Sequence, residues 1–339
     1  SSFFYTSSPT QHFSMAEFDP ILNIKTFLNP DHFDFESVNC YQCGSNESTF
    51  FLKGEEDLTG KDGEFQYVKC NNCELVYQNP RISISGIKEF YDTEYIAHRK
   101  KKNWGVLTPL YEHAMSKHDR EKEKLVRSYM KIDKNTRVLD VGCAVGTFLL
   151  HLNKKYECQI SGVDFKENLD YPEFEKIDFH EGLFYEQDLP KQSFDLITMW
   201  HFFEHDYDPN QTLEYAKSLL KPGGLLIIEV PRLDSLTFKL FKSKWPGIQA
   251  PQHTALYDKK NLINILQKHN YKIDHYLPYG AFPAYFYIFT GAYFRTLGKG
   301  LNLDKIVFPY FLGQFLLSPI LWFQKQLNLS MQTIVCSKS

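Results

Sequence analysis

The chain has 339 residues, 43% hydrophobic and 23% charged, with a formal net charge of −3. That balance excludes a disordered chain. So small a charge also gives no global field to draw in nucleic acid, leaving only a local basic patch to do so. The length accommodates one large domain and one small one.

Residues 1–30 read as a tail, and Ser1 to Asp19 show no charged segment followed by an apolar core, so no secretory leader is expected. The default compartment is then the cytoplasm. Residues 31–104 read as a small module and linker built on two Cys-x-x-Cys pairs, Cys40 with Cys43 and Cys70 with Cys73, separated by 26 residues. Two residues between thiolates let a tight turn aim both sulfurs at one centre, and a second such turn completes a tetrahedron. Gly44 follows the second sulfur, where a positive φ is often required. The expected occupant is Zn2+ in a structural role, because four protein ligands leave no open position. Two unrelated redox pairs fit the duplication poorly. Arg99 to Lys102, beside Trp104, reads either as a solvated run or as a contact for anionic headgroups or a phosphate.

From about residue 105 the pattern changes. Asp119 to Lys131 predicts an amphipathic helix with Leu125, Val126, Tyr129 and Met130 on its apolar side. Arg137 to Leu152 predicts a strand, a glycine-rich turn and a helix, which places a ligand at the carboxyl end of the first strand of a doubly wound sheet. The small residues Gly142, Ala144 and Gly146 allow close approach of that ligand. Asp140 stands just before the turn, where its charge disfavours a pyrophosphate and suits a cationic amino acid. A second strand, Gln159 to Asp164, ends in a carboxylate placed to accept ribose hydroxyls. Together Asp140 and Asp164 describe a ligand with an ammonium at one end and a ribose at the other.

On these residues the chain resembles the class I S-adenosylmethionine-dependent methyltransferases. Val138 to Gly146 is similar to their motif I, and Asp164 to their ribose-binding acid. Ser193 to His205 resembles their fourth strand and the turn after it, and Leu220 to Pro231 the entry into strand five. Two departures are Ala144 at the middle glycine and Leu183, after Gly182, where many relatives place an acid near the adenine. The resemblance implies a Rossmann-like α/β fold with a seven-stranded sheet over residues 105–339, preceded by the zinc-ribbon-like module. It implies S-adenosylmethionine as cofactor, held by Asp140, Gly142, Cys143, Ala144, Gly146, Asp164, Phe165, Leu183 and Trp200. With Cys40, Cys43, Cys70 and Cys73 in front, the chain also resembles bacterial sugar C-methyltransferases and their relatives with an N-terminal zinc-binding domain. The Tyr91 and Tyr95 stretch is similar to that domain's continuation.

Methyl transfer from a sulfonium needs positioning above all, with a base where the acceptor must lose a proton. His201 and His205 follow strand four, and His253 follows strand five on the same side, so these three are the candidate catalytic residues. A structural role for the Glu204–His205 pair, closing the turn before a helix at Pro209, competes with that reading. His201-Phe-Phe-Glu-His205 also fits a zinc-peptidase order, but that motif belongs on a helix and here falls in a strand-to-helix turn. Cys143 and Cys158 read as small buried residues.

Lys272 to Leu277 predicts strand six and Met331 to Cys336 the last strand, with an apolar helical insertion at about 280–328 between them. No charged residue lies between Lys305 and Lys325, yet Pro309, Gly313 and Pro319 interrupt the run and argue against a membrane span. The insertion is expected to pack on the core or a second subunit, or to form a peripheral membrane surface or lid for an apolar acceptor. The expected partner is a small-molecule acceptor, a sugar or a lipid-linked intermediate. Two alternatives keep the fold: an RNA target, disfavoured by the net charge, and a non-enzymatic binding protein.

Overall fold

The computed structural model describes residues 34–58, 60, 63–91, 108–165, 172–301 and 303–338. The tail, Tyr95, Arg99 to Lys102 and Trp104 lie outside these residues. The chain begins with β1 (Phe35–Glu36), β2 (Ser48–Glu55), β3 (Glu64–Cys70), β4 (Val76–Gln78) and β5 (Arg81–Ile82), then one helical turn, α1 (Ile84–Ile87). Helix α2 (Thr108–Arg127) leads into β6 (Arg137–Val141), α3 (Thr147–Tyr156), β7 (Gln159–Asp164), β8 (Asp178–Glu181) and β9 (Phe194–Trp200). Then follow α4 (Pro209–Leu219), β10 (Leu220–Pro231), α5 (Leu236–Phe241), β11 (Ala255–Leu256), α6 (Lys259–Lys268) and β12 (Tyr271–Leu277). Helices α7 (Ala284–Leu297), α8 (Leu303–Leu316) and α9 (Ser318–Leu321) precede the last strand, β13 (Met331–Lys338).

The large sheet has the order β12-β13-β10-β9-β6-β7-β8. All neighbours from β10 to β8 are parallel, and β13 runs antiparallel to both β10 and β12. The order reverses between β6 and β9, so the crevice at their carboxyl ends is the topological switch point where such sheets bind ligands. The apolar runs of β9 and β10 are buried along nearly their whole length, as strands covered on both faces must be. Asp208 caps α4 by accepting from the Gln211 N–H at 3.0 Å, with Pro209 in its first turn, and Asp258 caps α6 through the Asn261 N–H at 2.7 Å.

Helix α2 differs from the expected span. It begins at Thr108, with Pro109 in the first turn where a missing N–H costs nothing, and it ends at Arg127 rather than Lys131. The Ser128 hydroxyl donates to the Lys124 carbonyl at 2.9 Å, satisfying one of the last carbonyls and closing the helix.

The cysteine module shares its packing with the large sheet. Its sheet has the order β11-β4-β3-β2, so Ala255 and Leu256, from far along the chain, supply its edge strand. Cys40, Tyr41, Val68, Cys70, Leu75 and Tyr77 belong to the same apolar cluster as Phe203, Tyr257, Leu262 and Ile228. Arg81 reinforces the join. Its guanidinium donates to Glu36 and to the Tyr41 hydroxyl, both at 2.8 Å, and to the Tyr207 carbonyl at 2.9 Å.

Candidate active site

At the carboxyl end of β6 the backbone turns through three left-handed residues: Gly142 at φ +75°, Ala144 at +49° and Gly146 at +69°. The turn is pinned to β7, since Gly142 N–H donates to the Val163 carbonyl at 2.8 Å and Ala144 N–H to Asp164 Oδ2 at 2.8 Å. Phe165 N–H donates to the other oxygen, Oδ1, at 2.7 Å, so backbone donors orient the carboxylate. The glycines are needed for a reason beyond ligand access. A Cβ on Gly142 would lie 2.9 Å from Phe202, and one on Gly146 would run into Ile177.

Asp140 is buried at the base of this turn and accepts from the Thr198 hydroxyl of β9 at 2.6 Å. Burial pushes its carboxyl up to about 6, against the opposing pull of the Lys122 ammonium on α2. Lys122 lies 5.4 Å over the Trp200 ring and 5.5 Å over Phe148. The Trp200 Nε1–H is buried with no hydrogen-bond partner among the described residues. On the far side, Gly182 N–H donates to the Asp164 carbonyl at 2.9 Å, which places Leu183 beside the second acid. Phe165 is partly exposed, with its ring 6.3 Å from Tyr91. Cys143 is buried behind the turn, against the position a Gly162 side chain would take.

Histidines gather at the next strand end. His201, at φ +56°, places Nε2 3.2 Å from Glu229 Oε1 and Nδ1 3.7 Å from Glu204 Oε1. Burial alone would lower its pKa, but the two carboxylates outweigh that and hold it at about 9. Glu229 is fully buried in β10, flanked in register by Trp200 of β9 and Thr333 of β13. The Ala281 and Phe282 N–H groups donate to it at 2.7 and 3.0 Å. With His201 they hold its carboxyl below the usual range despite burial.

His205 and His253 meet edge to face with ring centroids 4.4 Å apart. The His253 Nδ1–H donates to the Gly247 carbonyl at 2.8 Å, which turns Nε2 toward Glu204. His205 Nδ1 lies 3.1 Å from the Gln252 carbonyl and 2.9 Å from the Tyr91 hydroxyl. Segments 203–206 and 253–254 are clamped together: Thr254 N–H donates to the Glu204 carbonyl at 2.8 Å and its hydroxyl to the Asp206 carbonyl at 2.7 Å.

The four cysteine sulfurs lie within 4.8 Å of one another. Cys40 and Cys73 are 3.4 Å apart, and Cys43 and Cys70 3.5 Å. A tetrahedral ion with bonds of about 2.3 Å sets its sulfurs roughly 3.8 Å apart, so the cluster fits zinc after small shifts. The two turns have matching backbones. Gly44 N–H donates to the Cys40 carbonyl at 2.8 Å and Glu74 N–H to the Cys70 carbonyl at 3.0 Å, with Gly44 and Glu74 both left-handed.

Residues 111–276 match a protein family described as "Methyltransferase domain", and the sheet order with its one antiparallel strand is that of the class I fold. Residues 111–276, just under half of the chain, are a methyltransferase domain. The chain is 27% identical over 116 residues to phosphoethanolamine N-methyltransferase of Plasmodium falciparum, covering 32% of this chain and 44% of that one. It is 33% identical over 100 residues to ubiquinone biosynthesis O-methyltransferase of Coxiella burnetii, covering 27% and 42%. In both cases the match spans less than half of the relative's length. Among solved structures, Haemonchus contortus phosphoethanolamine N-methyltransferase 2 in complex with S-adenosyl-L-methionine is 16% identical, with 65% and 52% covered and a TM-score of 0.44. A putative sarcosine dimethylglycine methyltransferase from Galdieria sulphuraria is 14% identical, with 68% and 88% covered and a TM-score of 0.45.

Within the methyltransferase domain, the nine residues expected at the cofactor are grouped around one strand-end crevice, and the three histidines around the next. His201-Phe-Phe-Glu-His205 lies in a strand end and a short 3-10 turn over Phe203–His205, not on an α-helix. Glu229, His118 and Tyr91 complete the histidine cluster without having been singled out as site residues. A lone glutamate inside the apolar run Leu225 to Val230 was the available signal for Glu229. His118 had none, since it contributes through α2 only once that helix is docked; its ring lies 5.3 Å from Phe282.

A cleft of about 810 Å³ opens between α2 and the C-terminal helices, lined by His118, Ala281, Tyr285, Tyr310, Phe315 and Trp322 among others. Its inner end reaches the segment that donates to Glu229. At its outer end α8 exposes Phe315 and Leu316, and the turn after α9 exposes Trp322, the last at 80%. No described helix is long and apolar enough to cross a membrane.

Proposed function

We propose that the protein transfers a methyl group from S-adenosylmethionine to a small-molecule acceptor. The observation that carries this is the bracket of two carboxylates around the left-handed turn: Asp140 at its base, Asp164 pinned to Ala144 at 2.8 Å on its other side. The donor's ammonium sits toward Asp140, its ribose on Asp164, and its adenine between Leu183 and Phe165. Cys143 and the glycines shape the turn, and Trp200 closes the side facing the acceptor. The acceptor then lies toward His205 and His253. Fixed as the Nδ1–H tautomer by Gly247, His253 presents the lone pair of Nε2 at the acceptor's side of the cluster. His201, held between Glu204 and Glu229, is a fixed cation that orients the cluster.

The cleft favours an acceptor with an apolar portion, because aromatic side chains line the route from His118 outward and continue into an exposed apolar rim. A lipid-linked intermediate met at a membrane surface satisfies that rim better than a free sugar does. The cysteine cluster is read as a structural zinc site whose module forms one wall of the active site.

Calorimetry with S-adenosylhomocysteine tests the central reading. The metal-replete protein is expected to bind about one equivalent, and Asp164→Ala to bind at least about tenfold more weakly. Absence of binding by the folded, monodisperse wild type overturns the proposal.

A further inference from the structure

Glu204 is 2% exposed, and neither of its carboxylate oxygens has a hydrogen-bond partner among the described residues. Burying a carboxylate with no compensating donor is strongly unfavourable. Its close basic neighbours are His201 Nδ1 at 3.7 Å and His253 Nε2 at 4.0 Å, both beyond hydrogen-bonding distance. His201 lies nearer to Glu229, at 3.2 Å.

We propose that Glu204, His205 and His253 bind a divalent transition-metal ion, at a site separate from the four cysteines. One donor atom from each of the three lies within 4.8 Å of the other two. Three ligands bonded at about 2.0–2.2 Å to a common ion stand roughly 3.0–3.6 Å apart, so the present spacing closes with side-chain shifts of about an ångström. Both histidines already have the support that metal-binding imidazoles require. Gly247 holds His253 Nδ1 at 2.8 Å, and Gln252 and Tyr91 hold His205 Nδ1 at 3.1 and 2.9 Å. The Thr254 clamp keeps the two ligand-bearing segments in register.

Two imidazoles and a carboxylate select manganese, iron, cobalt, nickel or zinc over magnesium and calcium, which prefer all-oxygen sites. Three protein ligands leave coordination positions open. The open side takes an oxygen of the acceptor, a hydroxyl or a carboxylate, and so adds an anchor where the methyl group is delivered. This role rests on placing the acceptor beside His205 and His253; binding of the ion does not.

Protein with zinc in its cysteine site is titrated with Mn2+ while the free-ion electron paramagnetic resonance signal is followed. Thiolate sites compete poorly for this hard ion. The wild type is expected to remove about one equivalent of the signal, and E204Q and H253Q each to bind at least about tenfold more weakly. Wild-type protein that leaves the free-ion signal unchanged overturns the inference, as does undiminished binding in both variants. If circular dichroism shows either variant unfolded, H205Q decides in its place, because its imidazole lies at the rim of the site. S-adenosylhomocysteine binding is measured on the same samples. Its retention without Mn2+ uptake removes the metal site alone, and its loss with uptake intact removes the methyl-donor reading alone.

Discussion

The Tyr67 hydroxyl, on β3 of the cysteine module, lies 2.7 Å from the carbonyl of His253 and 3.2 Å from that of Ile248. One phenol thus holds the loop that carries a candidate active-site histidine. The adjacent pairing of β11 with β4 extends the same hold to Ala255 and Leu256. The cysteine module supports the site directly, through backbone contacts, even though its four thiolates stand in a separate cluster.

Tyr67→Phe removes that support with little change in packing. Two buried carbonyls lose their donor, so stability should fall by about 1–2 kcal/mol in equilibrium urea unfolding. Methyl transfer should slow several-fold while S-adenosylhomocysteine affinity stays within about twofold. An equal loss in both would contradict a hold specific to the His253 loop.

Removing the metal from the cysteine cluster should act through the same route. A chelator strong enough to strip zinc, or Cys70→Ser, is expected to lower the thermal midpoint and the transfer rate together, since metal binding contributes folding free energy in so small a module. An unchanged midpoint after verified metal loss would refute the structural role.

Asp140 predicts a pH dependence of donor binding. The groups facing it are Lys122 and Asp119 from α2, Asp164 from β7, Cys143 from the turn and Thr198 from β9. Its carboxyl titrates at about 6 in the unliganded protein. Only the ionised form attracts an ammonium, so affinity for S-adenosylhomocysteine should rise as pH increases through about 6 and level off above it. Asp140→Asn should bind more weakly and lose this step. Calorimetry across that range reads both, and a wild-type step retained in the variant would assign it elsewhere.

Glu229→Gln leaves His201 buried with one carboxylate fewer. Breaking a buried ion pair from one side costs about 3–5 kcal/mol, and retained acceptance from Ala281 or Phe282 by the new amide should keep the loss near the lower figure. Urea unfolding measures it. A change below about 0.5 kcal/mol would mean that Glu229 carries no charge in the folded protein.

Much of this arrangement was legible along the chain because it is local. Gly142, Ala144 and Gly146 sit in one turn whose conformation depends on a few consecutive residues, and Asp164 ends a strand whose apolar pattern marks its limits. Cys-x-x-Cys encodes a knuckle by itself, and the order of strands followed from ordered motifs. What the tertiary structure alone decided is everything that depends on distant segments meeting. Glu229 reads as an oddity in an apolar strand until His201, Ala281 and Phe282 are packed around it. Tyr67 and His253 are 186 residues apart, and no periodicity connects them. The charge state of the histidines depends on how many carboxylates share each imidazole, which burial and three-dimensional spacing determine.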